Sequence, residues 1–116
     1  MRLVDLDPRF LRYERDGQHV YHRKVETMAE AQGVMFLCPK CFETNGGRRG
    51  THMVVCWSEE RGTPLEATPG PGRWALRGTG FEDLTLDGDR GRSRSVLLMG
   101  GCAWHGFITN GEATSC

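Results

Sequence analysis

Hydrophobic and polar positions alternate along this chain in short stretches, and a helical period is hardly ever sustained. Phe10-Leu11-Arg12-Tyr13-Glu14 and His19-Val20-Tyr21-His22-Arg23 flank Asp16-Gly17, a dipeptide suited to a tight turn, so the first 25 residues read as a hairpin or arm. Thr27-Met28-Ala29-Glu30 has the capping-box pattern and Gly33 follows as a stop, which predicts one short helix. Strands are expected at Val34–Leu37, His52–Trp57, Arg73–Arg77, Asp83–Leu86 and Val96–Met99. Phe107-Ile108-Thr109, Asn110-Gly111 and Glu112-Ala113-Thr114 form a second hairpin signal. The stretch 58–72 reads as a loop closed by Pro69-Gly70-Pro71-Gly72. Trp57, Trp74, Trp104, Phe36, Phe81 and Phe107 are the core candidates. The expected fold is mostly β: a small single domain over 1–116, of zinc-ribbon or Rieske-like type with one short helix, its metal-binding core spanning 34–116.

Composition sharpens this picture. A chain of 116 residues with 38% hydrophobic residues and 16 glycines allows one modest core and many turns. Such a core gains from a crosslink. Fifteen basic side chains balance fifteen acidic ones, which disfavours a general nucleic-acid binder. No apolar run approaches the ~20 residues of a membrane span, and the first residues carry no signal-peptide pattern, so no membrane role is expected. Five cysteines, an odd number, fit a reducing compartment better than a disulfide framework.

The chemistry lies in two chelating turns. Cys38-Pro39-Lys40-Cys41 and Cys102-Ala103-Trp104-His105 each separate two donors by two residues, a spacing at which one turn points both at a single ion. The expected metal ligands are therefore Cys38, Cys41, Cys102 and His105, three thiolates and an imidazole, and the expected cofactor is Zn2+. A redox dithiol is the rival reading of the first turn. It is disfavoured because Phe42-Glu43-Thr44-Asn45-Gly46-Gly47 is poor helix material, whereas redox dithiols open a helix. Gly106 suits the positive φ often needed just after a metal knuckle, and Trp104 is expected to pack over the site. Cys56, between Val55 and Trp57, reads as a small buried hydrophobe and Cys116 as a free thiol. His52 reads as a surface or capped histidine, with a role beside the metal or as substitute ligand the alternative. His19 and His22 fall on opposite faces of their strand and are not expected to share an ion. Arg90-Gly91-Arg92-Ser93-Arg94 adjoins Asp87 and Asp89 and reads as a solvated loop rather than a phosphate site.

Two resemblances follow from these residues. Cys102-Ala103-Trp104-His105-Gly106-Phe107 resembles the second cluster-binding loop of Rieske iron–sulfur proteins, but their Cys-x-His first loop is absent here. A wider set of motifs comprises Val34–Leu37 running into Cys38-Pro39-x-Cys41, then His52 before a strand, then Pro71-Gly72-Arg73-Trp74. It continues with Gly78-Thr79-Gly80-Phe81-Glu82-Asp83-Leu84-Thr85-Leu86 and ends with Cys102-x-Trp104-His105-Gly106-Phe107-Ile108-Thr109-Asn110-Gly111. This set resembles a domain family of unassigned function carried by tailed bacteriophages, prophages and some bacterial gene clusters. The family's Pro-Ser run after Leu84-Thr85-Leu86 is replaced here by Asp87-Gly88 and the Arg-rich loop. The resemblance implies a phage origin and a metal-binding fold, and it supplies no activity. The expected function is a non-enzymatic, zinc-stabilised virion component docking on capsid, connector or tail proteins, in a phage particle or the host bacterial cytoplasm, with symmetric multi-copy assembly allowed. The alternatives are an early phage protein binding a host or defence factor, and a metal-dependent hydrolase or iron–sulfur protein.

Overall fold

A computed structural model describes residues 1–116 and arranges them as three antiparallel sheets around one principal core. The first sheet has the order β2-β1-β3-β4 and contains β1 (Arg9–Asp16), β2 (His19–Val25), β3 (Gly33–Leu37) and β4 (Met53–Trp57). β5 (Trp74–Arg77) and β6 (Thr85–Gly88) form a two-stranded ribbon. β7 (Val96–Leu97), β8 (His105–Thr109) and β9 (Glu112–Ser115) make the third sheet. The mostly-β expectation holds, and no helix is long and apolar enough to cross a membrane.

Strand alternation explains the core. Val34 and Phe36 of β3, and Val54 and Cys56 of β4, point to one face and are buried with Phe10, Leu76, Leu84, Leu86, Trp104 and Ile108. The opposite face of that sheet carries a smaller cluster of Leu11, Trp57 and Ala67. The segment before β1 belongs to the core as well. Leu3 and Leu6, in a 3-10 turn over Leu3–Leu6, are fully buried, and the Leu3 amide donates to the Gly111 carbonyl at 2.8 Å. Only the far part of the first hairpin stands free, with every residue of β2 from His19 to Lys24 exposed.

Three local expectations are corrected. The helix expected after Thr27 is a single 3-10 turn, Met28–Glu30; Thr27 does cap it, accepting from the Glu30 amide at 3.4 Å. The one α-helix, α1 (Pro39–Asn45), forms where none was expected. Proline suits its first turn, Gly46 closes it at φ 69°, and Phe42 packs on the core, so tertiary contact overrides weak propensity. Gly106 does not adopt a positive φ. It is needed for space: a Cβ there would run into the Thr114 carbonyl and the Trp104 ring.

The stretch 58–72 is irregular but tightly held. Arg73 is 1% exposed, and its guanidinium donates to the carbonyls of Pro64, Leu65, Ala67, Pro69 and Gly72 at 2.7–3.1 Å. The Trp57 indole N–H donates to Thr68 O at 2.9 Å. Of the Arg-rich loop, Arg90 and Arg92 pair with Glu59 at 3.0 and 2.9 Å, while Arg94 lies over the Phe107 ring. The stretch was expected to be a solvated loop; Arg90 is exposed as such a loop would have it, but all three arginines have partners within the fold.

Candidate metal centre

The ladder between β3 and β4 begins the site. Its register pairs Leu37 with Met53, and one step further the Cys38 amide donates to the His52 carbonyl at 2.9 Å. Cys38 and His52 are therefore neighbours across two strands. Cys38 caps α1, and the first turn of that helix brings Cys41 to the same side. The fourth donor arrives from the third sheet. Leaving β7, the chain turns through Gly100 and Gly101, both at positive φ, and places Cys102 against the other three. One ligand atom from each of Cys38, Cys41, His52 and Cys102 lies within 4.8 Å of all the others. The Cys38 and Cys102 sulfurs are 3.5 Å apart, and His52 Nε2 is 3.3 Å from Cys102 Sγ. Three cysteines and one histidine so arranged can hold a metal ion.

Cys38, Cys41 and Cys102 of the expected ligand set are thus brought together, with His52 and not His105 beside them. His105 lies outside the cluster. Gly106 and Ile108 take the inward face of β8, with Trp104 buried just before it, so alternation turns His105 outward, towards Phe107 at a ring separation of 6.5 Å. Two residues of spacing suffice when a turn carries both donors, but here β8 begins at the second one. His52 takes the place of His105. The signal for it was the antiparallel pairing of Val34–Leu37 with the strand that His52 opens, a register that no local motif states.

Burial is graded across the site. Cys38 is fully buried, Cys41 and Cys102 are half-buried, and His52 is exposed. Desolvation pushes the Cys38 thiol up to about 12, and it raises Cys41 too. Burial also opposes ionisation of Cys102, but hydrogen bonds from His52, the Trp104 backbone, Cys38 and Cys41 outweigh it and bring that thiol down to about 6. Lys40 Nζ donates to the Cys102 carbonyl at 2.8 Å, tying the two chelating segments together and adding a positive charge beside the sulfurs.

The α-helix that begins at Pro39, inside Cys38-Pro39-Lys40-Cys41, removes the ground on which a redox dithiol was disfavoured. What separates the two readings is the company of the pair: a third sulfur and an imidazole stand within reach of both thiols. Trp104 is buried, edge-on to Phe36 at 6.2 Å, with its indole N–H donating to Ser115 Oγ at 3.0 Å. It packs in the core that also contains Cys38. Cys56 is buried apart from the cluster and its thiol is raised by burial, while Cys116 is exposed.

No protein-family model, curated protein or solved structure matches the chain.

Proposed function

We propose that this chain is a non-enzymatic docking module stapled by one zinc ion, bound by Cys38, Cys41, His52 and Cys102. The observation that carries this reading is the convergence of those four donors to within 4.8 Å from three separate segments. A tetrahedral zinc with bonds of about 2.3 Å to sulfur and about 2.0 Å to nitrogen sets its sulfurs about 3.8 Å apart and sulfur from nitrogen about 3.5 Å. The separations of 3.5 Å and 3.3 Å need only a slight opening to accept it. Zinc would act here as a clasp. It would join the four-stranded sheet, through Cys38, Cys41 and His52, to the three-stranded sheet, through Cys102. Three thiolates around a dication leave one net negative charge, which Lys40 offsets.

Four protein ligands leave no coordination position for an activated water, which favours docking over hydrolysis. The exposed outer part of the first hairpin supports the same reading. Val20 and Tyr21 are 42% and 43% exposed on a ribbon that has no other layer over it. A two-stranded ribbon gains stability from a partner that covers it. On the family resemblance carried by the two chelating turns and the strands between them, the partner would be a phage structural protein.

Metal analysis of the pure protein tests the zinc reading. One zinc per chain and a colourless sample are expected; stoichiometric iron and sulfide with visible absorption would replace it by an iron–sulfur site. Mass spectrometry of purified particles tests the setting. Particles without this chain, together with capture of a host factor from infected cells, would move the protein to the host cytoplasm.

A further inference from the structure

The three sulfurs of the metal centre are not equally open to solvent. A groove of about 850 Å³ runs beside the site, and His52 and Cys102 line it while Cys38 and Cys41 do not. Cys38 is fully buried and Cys41 lies half-buried outside the groove. A small neutral molecule that enters along the groove therefore meets the sulfur of Cys102 before the other two. As a zinc ligand that sulfur is a thiolate, the form that attacks electrophiles. The chain leading to it is also the least confined part of the site. Met99, Gly100 and Gly101 are all exposed, and both glycines stand at positive φ.

Cys38 is placed to complete a reaction begun at Cys102. Its sulfur lies 3.5 Å from that of Cys102, although 64 positions separate the two residues in sequence. A disulfide has its sulfurs about 2.05 Å apart, so the pair needs to close by about 1.5 Å. The exposed turn before Cys102 is the side from which that movement comes.

Resting on the zinc reading above, we infer that Cys102 is a site of oxidation by hydrogen peroxide and that the product is a disulfide with Cys38. The Cys102 thiolate attacks one oxygen of the peroxide; an S–O bond forms, the O–O bond breaks and hydroxide leaves, giving a sulfenic acid. The Cys38 thiolate then attacks the Cys102 sulfur; the S–S bond forms, the S–O bond breaks and a second hydroxide leaves. The two sulfurs give up two electrons, the peroxide takes both, and two protons from solvent turn the hydroxides into water. Only Cys41 and His52 remain as donors, too few to close a tetrahedral site, so zinc departs. The new bond spans the same joint between the four-stranded and three-stranded sheets. Oxidation thus exchanges one clasp for another: metal is released while the sheets stay joined, and a thiol reductant reverses the change.

The probe is hydrogen peroxide added to the zinc-loaded full chain carrying Cys116→Ser. Trypsin cuts after Lys40 and Arg94, which puts Cys38, Cys41 and Cys102 in three separate peptides, the last with no other cysteine in this variant. Dimedone, which traps sulfenic acid, should label Cys102 ahead of Cys38 and Cys41. Without dimedone, each chain should lose one zinc and two thiols and yield the Cys38–Cys102 peptide pair. The oxidised protein should keep a thermal midpoint above that of the reduced, chelated protein and ignore chelator; dithiothreitol should restore zinc binding. Cys41→Ser keeps the reacting pair and should still form the link. A Cys38–Cys41 link, first labelling at Cys41, or zinc loss with no link to Cys102 would overturn the inference. Zinc content of the untreated sample separates the two readings. A chain that binds no zinc yet forms the Cys38–Cys102 link sinks the zinc clasp alone, and a zinc-loaded chain that never forms it sinks the oxidation site alone.

Discussion

His52 Nε2 lies 3.3 Å from the sulfur of Cys102, across 50 residues of sequence and from a different sheet. The contact joins the start of β4 to the turn after β7, and it exists because β4 pairs with β3 in the register that sets His52 opposite Cys38. Cys102 is the meeting point of the cluster, in contact with both His52 and Cys38.

The histidine substitution decides the ligand set. His52→Ala should weaken metal binding by more than about 100-fold, beyond what loss of a group behind the ligands costs. His105→Ala should leave it unchanged, because that ring faces outward on β8. Competition with a chromophoric chelator measures both. The reverse ranking would restore His105 as the fourth ligand.

Removing the metal should loosen the joint between the sheets. A strong chelator should lower the thermal midpoint of the parent protein and of Cys56→Ala alike, since Cys56 lies outside the cluster. Cys102→Ser should begin at the lower midpoint and no longer respond to chelator, because its clasp is already open. A midpoint of the parent that ignores chelation would remove the metal from the account of stability.

Arg73 organises the stretch before β5. Its single buried guanidinium serves five carbonyls, of which Pro64 O also accepts from the Ala67 amide at 3.1 Å. Arg73→Met should cost about 2–4 kcal/mol, and Arg73→Lys should recover little of it, because an ammonium cannot reach so many acceptors in a planar fork. Urea denaturation gives the magnitude. Hydrogen exchange should place the first opening at residues 64–72.

Acid should act on the turn before β6. The Asp83 carboxylate accepts from the Thr79 amide at 2.8 Å, the Gly80 amide at 2.9 Å and Thr79 Oγ1 at 2.9 Å, and these bonds hold its pKa below the usual value. A depressed carboxylate contributes stability above the ordinary aspartate range, and that contribution is lost as pH falls through its folded value. Asp83→Asn should therefore be less stable than the parent at pH 7, and the gap should narrow below about pH 4. Denaturation of the two proteins side by side cancels any acid loss of metal. A gap constant with pH would mean that the charge of Asp83 is immaterial.

The strands were legible in the sequence because each is a short alternating run, and the hairpin at Asn110-Gly111 carries its own turn chemistry. Chelation was legible for the same reason: a turn of four residues brings Cys38 and Cys41 together whatever surrounds it. The helix Pro39–Asn45 was not legible, because its residues favour it weakly and the burial of Phe42 completes it. Nor was the buried charge of Arg73, whose partners are backbone carbonyls that any sequence supplies. The sequence alone determined the mostly-β class, the cysteine pair and the third thiol. Tertiary structure decided the fourth donor. Strand alternation, set by the burial of Trp104 and Ile108, turned His105 away, while pairing of β3 with β4 brought His52 in. Register is a property of two strands at once, so neither stretch of sequence states it alone.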